Sequence, residues 1–521
     1  GTNLAWTGSL QYGDIDAAFK SADRVVKENL KIHRYSSTPL EPFVVMASYD
    51  AASKRLTVWV TAQVPEVIYD GVREALGLQD IRVIIPDVGG GFGQKIHLIR
   101  KYVVLVSLLA MKTGRPIKWI EDRSEHMMAG GHACAQEFEA EAAVKNDGTV
   151  LGLRFNEYDD VGGSISTLTI HFTNKLNNLS NTYRTPAIHM IGHAVVTNKC
   201  PVIPNRGIGK PGMCYIWERM MDRVAQALNL SPIEVRRKNL IQPNEMPYRT
   251  ISGNVYDSGD YPGLLSTLLE KIDYDKLREE QKQARAMGRL MGIGIVIGVE
   301  PGGRNAARDM AIFPEMKEPP GSGGVNGAKI KLEKNGTLSL HLGSPNCGQA
   351  HETTTAQVAA EILGSTPDKV STSIPFDSDL SAWGVAAANS GNNFHLYDIG
   401  AIHGAATRLR EKILKLAAFN LKVEPTELTI EDSVVKIPGI AAKQITFAEL
   451  GRIAYNNQHL IPDDMEAGLE ATFYYMFPHA KPNIVPGADR MVRAQFTFSA
   501  GAHAAVVEVD KATGMVAVKR Y

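Results

Sequence analysis

Cysteine is scarce in this 521-residue chain, and the four present, Cys134, Cys200, Cys214 and Cys347, stand far apart. They show none of the paired short spacings that zinc or iron–sulfur ligation needs, so any iron–sulfur centre working with the chain has to sit on another polypeptide. So few thiols do not staple a fold of this size, which fits a reducing compartment, the cytoplasm. An excess of one charge is missing too: Lys+Arg and Asp+Glu both number 56, and no overall field recruits nucleic acid or an anionic membrane. The sequence contains no run of about 18 uncharged apolar residues. Its opening, GTNLAWTGSLQYGD, has neither region of a signal peptide, so no membrane span is expected. Short internal repeats are absent as well.

What is present is a hydrophobic content of 44%, enough for a large interior in a chain too long for one ordinary core. Periodicity predicts a short helix over 14–21, an alternating strand over 24–32, strands over 44–49 and 56–61, a helix carrying Ile68, Val72, Ala75 and Leu76, and a buried strand over 81–85. A strongly apolar helix over 96–112 reads as internal. Ser231, Pro232 and Glu234 form a capping box for a helix after the block MCYIWERMMDRVAQALNL. The stretch 242–263 is rich in Pro, Gly, Asn and Asp and sets the expected boundary between domains 1–245 and 246–521. Beyond it come a charged helix over 274–288, a strand over 293–299, a long loop ending in PPGSGG, and an Asn335-Gly336 hairpin. Helices over 353–363 and 402–421 follow, and AAVVEVD, KATG and MVAVKRY read as strand, turn and a strand inside which the sequence stops, so the ends read as processed or artificial. The fold class expected is α+β, a mixed α/β chain of two large multi-layer domains.

The segment IRVIIPDVGGGFGQK sets Gly89, Gly90, Gly91 and Gly93 between a strand and a helix, where bare backbone amides can approach an oxyanion. It is no P-loop, because Ile96 follows Lys95 where Ser or Thr is required. Nor is it a Rossmann fingerprint, because Gln94 fills the last glycine position, so a nucleotide-binding oxidoreductase fails on spacing. A purely structural turn is the alternative.

DVGGGFGQK resembles the GGGFGGK motif of the molybdenum subunits of the xanthine oxidase family. Further matches follow in order: YGDIDAAF, TPLEPF, TAQ ending at Gln63, NRGIGKPG around Arg206, ERMMDRVAQALNLSPIEVRRKNLI, and CGQAHETTTAQVAAEILG. YDSGDYP, GLEATFYY and the terminal hairpin resemble the large-subunit group of aerobic carbon monoxide dehydrogenase. The resemblance implies a buried molybdenum on a pterin dithiolene, the cytosine dinucleotide form, that oxidises an aldehyde, an N-heterocycle or another activated carbon with oxygen from water. It also implies partners: an iron–sulfur small subunit with two-iron two-sulfur clusters and an FAD-binding medium subunit, assembled as a dimer of heteromers.

Residue by residue, the resemblance gives Gln63 a hydrogen bond to a molybdenum oxygen and sets Gly91, Phe92 and Gly93 beside the metal, the Gly93 amide donating to an oxo ligand. Arg206 matches the arginine that stabilises charge on substrate. Gln349 and Ala350 match the GQGHET stretch that contacts the pterin. Cys347 reads as a packing residue, and His351 and Glu352 as the start of a helix. The plain alternatives are a strand-end amide for Gln63, core for Phe92 and a surface loop for Arg206.

The sequence departs from the family in three ways. The family's glutamate base, in a GE-containing motif, and a second glycine stretch lie beyond the last residue, so a further polypeptide or a longer chain is expected to carry them. A loop usually reading GSRS or SSR is NSGNNFHLYDIG, with Asn392, Asn393 and Phe394 in place of small hydroxyls and an arginine, and His395 following. Gly207 stands where carbon monoxide dehydrogenase carries its copper-binding cysteine, which argues against carbon monoxide oxidation. These departures motivate a second reading, a cofactor-carrying scaffold subunit that is catalytically incomplete by itself.

Overall fold

The computed structural model describes residues 1–163, 168–317, 324–373, 375–478, 486–487 and 489–521. The chain builds mixed sheets covered by helices. One five-stranded sheet runs in the order Leu4–Tyr12, Ile188–Val196, Val150–Gly162, Ala135–Val144, Arg24–Ile32. Alternation explains it: in AQEFEAEAAV the residues Phe138, Ala140 and Ala142 face inward, while Glu137, Glu139 and Glu141 face solvent. The inner face packs on the helix Lys210–Leu228, whose Met213, Ile216, Trp217, Met220 and Val224 are all buried. Ile295, Ile297, Val299, Val492 and Ala494 join the same core from the second half of the sequence.

A second sheet has the order Phe376–Asp377, Ile81–Ile85, Arg55–Val60, Val44–Asp50, Ile117–Ile120. Its strands Arg55–Val60 and Ile81–Ile85 are parallel, with the helix Pro65–Leu76 between them in sequence. Parallel neighbours put their C-terminal ends side by side, the place where α/β sheets bind ligands. Those ends carry Gln63 and the glycine loop.

The second half repeats the device. Its four-stranded sheet has the order Val370–Ser373, Leu338–Leu342, Val325–Leu332, Glu470–Met476, backed by the helices His351–Leu363 and Ile399–Leu421. The parallel pair Leu338–Leu342 and Val370–Ser373 flanks the helix His351–Leu363, so the loop holding Gln349 leaves another strand at its C-terminal end. A long antiparallel ribbon of Leu290–Arg304 and Gln495–Val509, with Val516–Arg520 at its edge, ties the two halves together.

Two expectations change here. The apolar helix starts at Ile99 and is not internal: Leu105, Leu108 and Leu109 are exposed, because only the side bearing Val103, Val106 and Ala110 meets the sheet. The strand expected over 293–299 runs Leu290–Arg304. All of PPGSGG but its last glycine lies outside the described residues. Among the described residues, no helix is long and apolar enough to cross a membrane.

Candidate active site

Gln63 is 5% exposed, and its side chain makes three bonds that reach into other segments. Its Oε1 accepts the N–H of Gly93 at 2.8 Å and of Lys95 at 3.3 Å, and its Nε2 donates to the Asn389 carbonyl at 2.8 Å. The glycines beside it are needed: a Cβ at Gly91 would stand 2.5 Å from Gln63 Cδ, and one at Gly93, where φ is +96°, would stand 2.3 Å from the Pro204 carbonyl oxygen. Phe92 is not core. It adopts φ +52° and is 41% exposed. The Gly93 N–H is thus spent on Gln63 rather than pointing free into the site, whereas the N–H groups of Gly91 and Phe92 donate to no described residue.

Behind the loop the polar groups are pinned. Lys95 is wholly buried with Nζ 2.6 Å from Glu41 Oε1, and burial holds its ammonium below its ordinary pKa. Gln94, where the family motif has glycine, is buried and donates to the Gly131 carbonyl at 2.9 Å and Ser36 Oγ at 3.2 Å.

Arg206 arrives on a neighbouring loop, its N–H donating to the Phe92 carbonyl at 3.0 Å. Gly207, Ile208 and Gly209 all take positive φ and turn the chain into the helix Lys210–Leu228. The Arg206 guanidinium sits 5.9 Å over the Phe92 ring, is exposed, and makes no hydrogen bond or ion pair with the described residues. It is an uncommitted cation at the rim of the glycine loop.

From the second half comes Gln349, exposed, with Nε2 donating to Asn389 Oδ1 at 3.1 Å and Oε1 accepting the Cys347 N–H at 2.8 Å. Ala350 has φ +56° and precedes the helix, which starts at His351. Asn389 is the hub that sequence reasoning missed. Its N–H donates to the Gln63 carbonyl at 2.9 Å, and its Nδ2 donates to the Pro345 carbonyl at 2.6 Å. Two glutamines read separately from the sequence are therefore braced by one asparagine. Its only signal in the sequence is its place at the head of the departing segment NSGNNFHL, three positions before Asn392.

That segment splits its work. Asn392 donates to Glu300 Oε1 at 3.2 Å, Phe394 stacks flat on buried His351 at 3.6 Å, and His395 bonds Thr497 Oγ1 at 2.9 Å. Burial pushes the His351 imidazole down to about 4. Asp398 anchors the segment's far end: wholly buried, it accepts from Ser344 Oγ at 2.9 Å and Asn326 Nδ2 at 3.0 Å, and burial raises its carboxyl to about 7.

The folded chain holds a proton on Asp398 that an unfolded carboxyl releases near its ordinary value of 3.8. Stability therefore falls as pH rises from that value towards 7, by up to about 1.4 kcal/mol per pH unit. Asp398→Asn is expected to gain on the wild type in urea unfolding as pH goes from 5 to 7. Parallel stability curves across that window would rule the protonated carboxyl out.

Among the described residues no group of three His, Cys, Asp or Glu could hold a metal ion, and a metal carried by its own organic ligand needs no such group. The pattern fits such a ligand: glycines whose Cβ space is taken, unpaired Gly91 and Phe92 amides, an amide side chain at Gln349 and a free guanidinium suit an oxygen-rich, anionic group.

Two family models, each described as a molybdopterin cofactor-binding domain, match residues 2–240 and 267–521. The chain belongs to the molybdopterin-binding large subunits of the xanthine oxidase family. Relatives among these large subunits include the nicotine 6-hydroxylase large subunit of Paenarthrobacter nicotinovorans, 30% identical over 99% of this chain and 61% of the relative. The carbon monoxide dehydrogenase large chain of Hydrogenophaga pseudoflava is 32% identical over 97% of this chain and 60% of its own length. In three dimensions the chain is similar to quinoline 2-oxidoreductase from Pseudomonas putida 86, with a TM-score of 0.87 at 28% identity over 99% of this chain and 63% of the other. Against reconstituted CO dehydrogenase from Oligotropha carboxidovorans the TM-score is 0.84 at 29% identity, over 98% of this chain and 62% of the other. The chain thus spans 60–61% of the length of these two curated relatives. It binds molybdopterin cofactor through a mixed α/β fold of the xanthine oxidase type.

Proposed function

We propose that the chain is the cofactor-binding part of a molybdenum hydroxylase that oxidises an aldehyde, an N-heterocycle or another activated carbon with oxygen drawn from water. The observation that carries this reading is the single hydrogen-bonded chain Gln349–Asn389–Gln63–Gly93, which joins the two matched halves beside an unpaired arginine. The cofactor, in its cytosine dinucleotide form, supplies the oxygen nucleophile and accepts two electrons from substrate. This chain's own residues do the rest of the work. Gln63 and Gly93 shape the floor, Gly91 and Phe92 offer backbone N–H groups, and Gln349 and Ala350 take the pterin side. Arg206 presents a fixed positive charge to negative charge developing on substrate, where preorganisation counts most.

The halves 1–245 and 246–521 act as two cofactor-binding domains in a cytoplasmic complex with an iron–sulfur small subunit and an FAD-binding medium subunit, as a dimer of heteromers. The base is supplied by a segment outside these residues. A second reading, a carrier that holds the cofactor without turning over, is favoured by one observation: the Gly93 N–H is already satisfied by Gln63 within the chain. Elemental analysis tests the common ground. Purified complex is expected to contain molybdenum stoichiometric with this chain, and iron besides; a complex free of both sinks either reading. Substrate-dependent dye reduction by molybdenum-replete complex then separates enzyme from carrier.

A further inference from the structure

Where the RGIGK loop meets the NSGNNFHL segment stands a carboxylate that the hydroxylase reading does not use. In the strand Leu290–Arg304, Ile295, Ile297 and Val299 turn into the core, and Glu300 points to the opposite side just before Pro301, Gly302 and Gly303 enter the interior. Its side chain is 53% exposed, yet one oxygen is held from two directions: Oε1 accepts from Lys210 Nζ at 2.6 Å and from Asn392 Nδ2 at 3.2 Å. Oε2 accepts no hydrogen bond from the described residues. The carboxylate is aimed by one oxygen and open at the other.

Its two holders sit on the loops that deliver the rest of the site. Lys210 follows Arg206 across the Gly207–Gly209 turn, and Asn392 follows Asn389, which is bonded to both Gln63 and Gln349. Strand and segment are in tight contact, since a Cβ at Gly302 would lie 2.6 Å from His395 Cε1 and 3.0 Å from Asn392 Cβ. A merely structural ion pair accounts for Oε1, because Lys210 is buried and needs a partner. It leaves Oε2 without a role.

The geometry points to Glu300 as a substrate-binding residue: Oε2 accepts a charge-assisted hydrogen bond from a protonated amine or ring N–H, and so selects N-heterocycles that carry such a donor over aldehydes and donor-free rings. The inference rests on the hydroxylase reading in taking the space between these loops as the substrate site.

Titration calorimetry on the assembled, molybdenum-replete complex tests it with two probes, (S)-nicotine, cationic at neutral pH, and quinoline, neutral and without an N–H. Glu300→Gln keeps the size and an acceptor for Lys210 but removes the charge. The Kd for nicotine is expected to rise roughly tenfold or more in Glu300→Gln while that for quinoline stays within about twofold. An equal change for both probes, or an unchanged Kd for nicotine, overturns the assignment. The expected binding pattern in a complex that oxidises neither probe would keep Glu300 in place and remove hydroxylation instead.

Discussion

Arg206→Ala is expected to lower kcat by roughly two to three orders of magnitude, in the range measured when one preorganised charge-stabilising group is removed, with molybdenum content and assembly unchanged. The guanidinium makes no hydrogen bond or ion pair with the described residues and lies 5.9 Å over the Phe92 ring. Removing it therefore costs the fold almost nothing, while it strips the rim of its uncommitted cation. Gln63→Ala is the informative contrast. Its carboxamide satisfies the Gly93 and Lys95 amides and the Asn389 carbonyl, and leaving buried partners unpaired costs about 1–3 kcal/mol each. That variant should lose cofactor along with turnover. Steady-state kinetics together with molybdenum per polypeptide separate the two, and Arg206→Ala with wild-type kcat would remove the residue from the chemistry.

How far the sequence carried this picture depended on the range of the forces involved. Arg24–Ile32 and Ile81–Ile85 are read to the residue, because alternating apolar positions state which face is buried without reference to any partner. The Asn335-Gly336 turn is as plain, Gly336 taking the φ of +87° that the hairpin requires. The helix Ile99–Thr113 reads as internal and lies at the surface for the converse reason: composition says how much apolar surface exists, not how many sides find a neighbour. At the site, motif order in the sequence picked out Gln63, Gly91–Gly93, Arg206 and Gln349, and they come together through bonds spanning up to 326 positions. No local pattern announces Asn389 or Glu300, since each owes its place to a crossing of loops.

The ion pair that holds those loops to their scaffold carries the largest stability effect. Arg236 is fully buried, donating through Nε to Glu218 Oε2 at 2.9 Å, through Nη1 to Asp222 Oδ1 at 2.8 Å and through Nη2 to the Glu218 carbonyl at 3.0 Å. Glu218 also accepts from the Tyr183 hydroxyl and from the Ile297 N–H at 3.4 Å. Burial raises the Glu218 carboxyl above its ordinary pKa, so the guanidinium is what keeps a charge tolerable there. Arg236→Ala leaves that carboxylate buried without its cation, a loss of about 3–5 kcal/mol. The damage should travel. Glu218 lies on the helix that begins with Lys210, and Ile297 lies on the strand that ends beyond Glu300, so the broken network is the one that sets Lys210 against Glu300. Urea unfolding of the variant should show a midpoint well below that of the wild type, and limited proteolysis should open the chain first near the RGIGK loop. A midpoint equal to that of the wild type would mean that the pair contributes nothing net, and that apolar packing around Trp217 alone holds the helix in place.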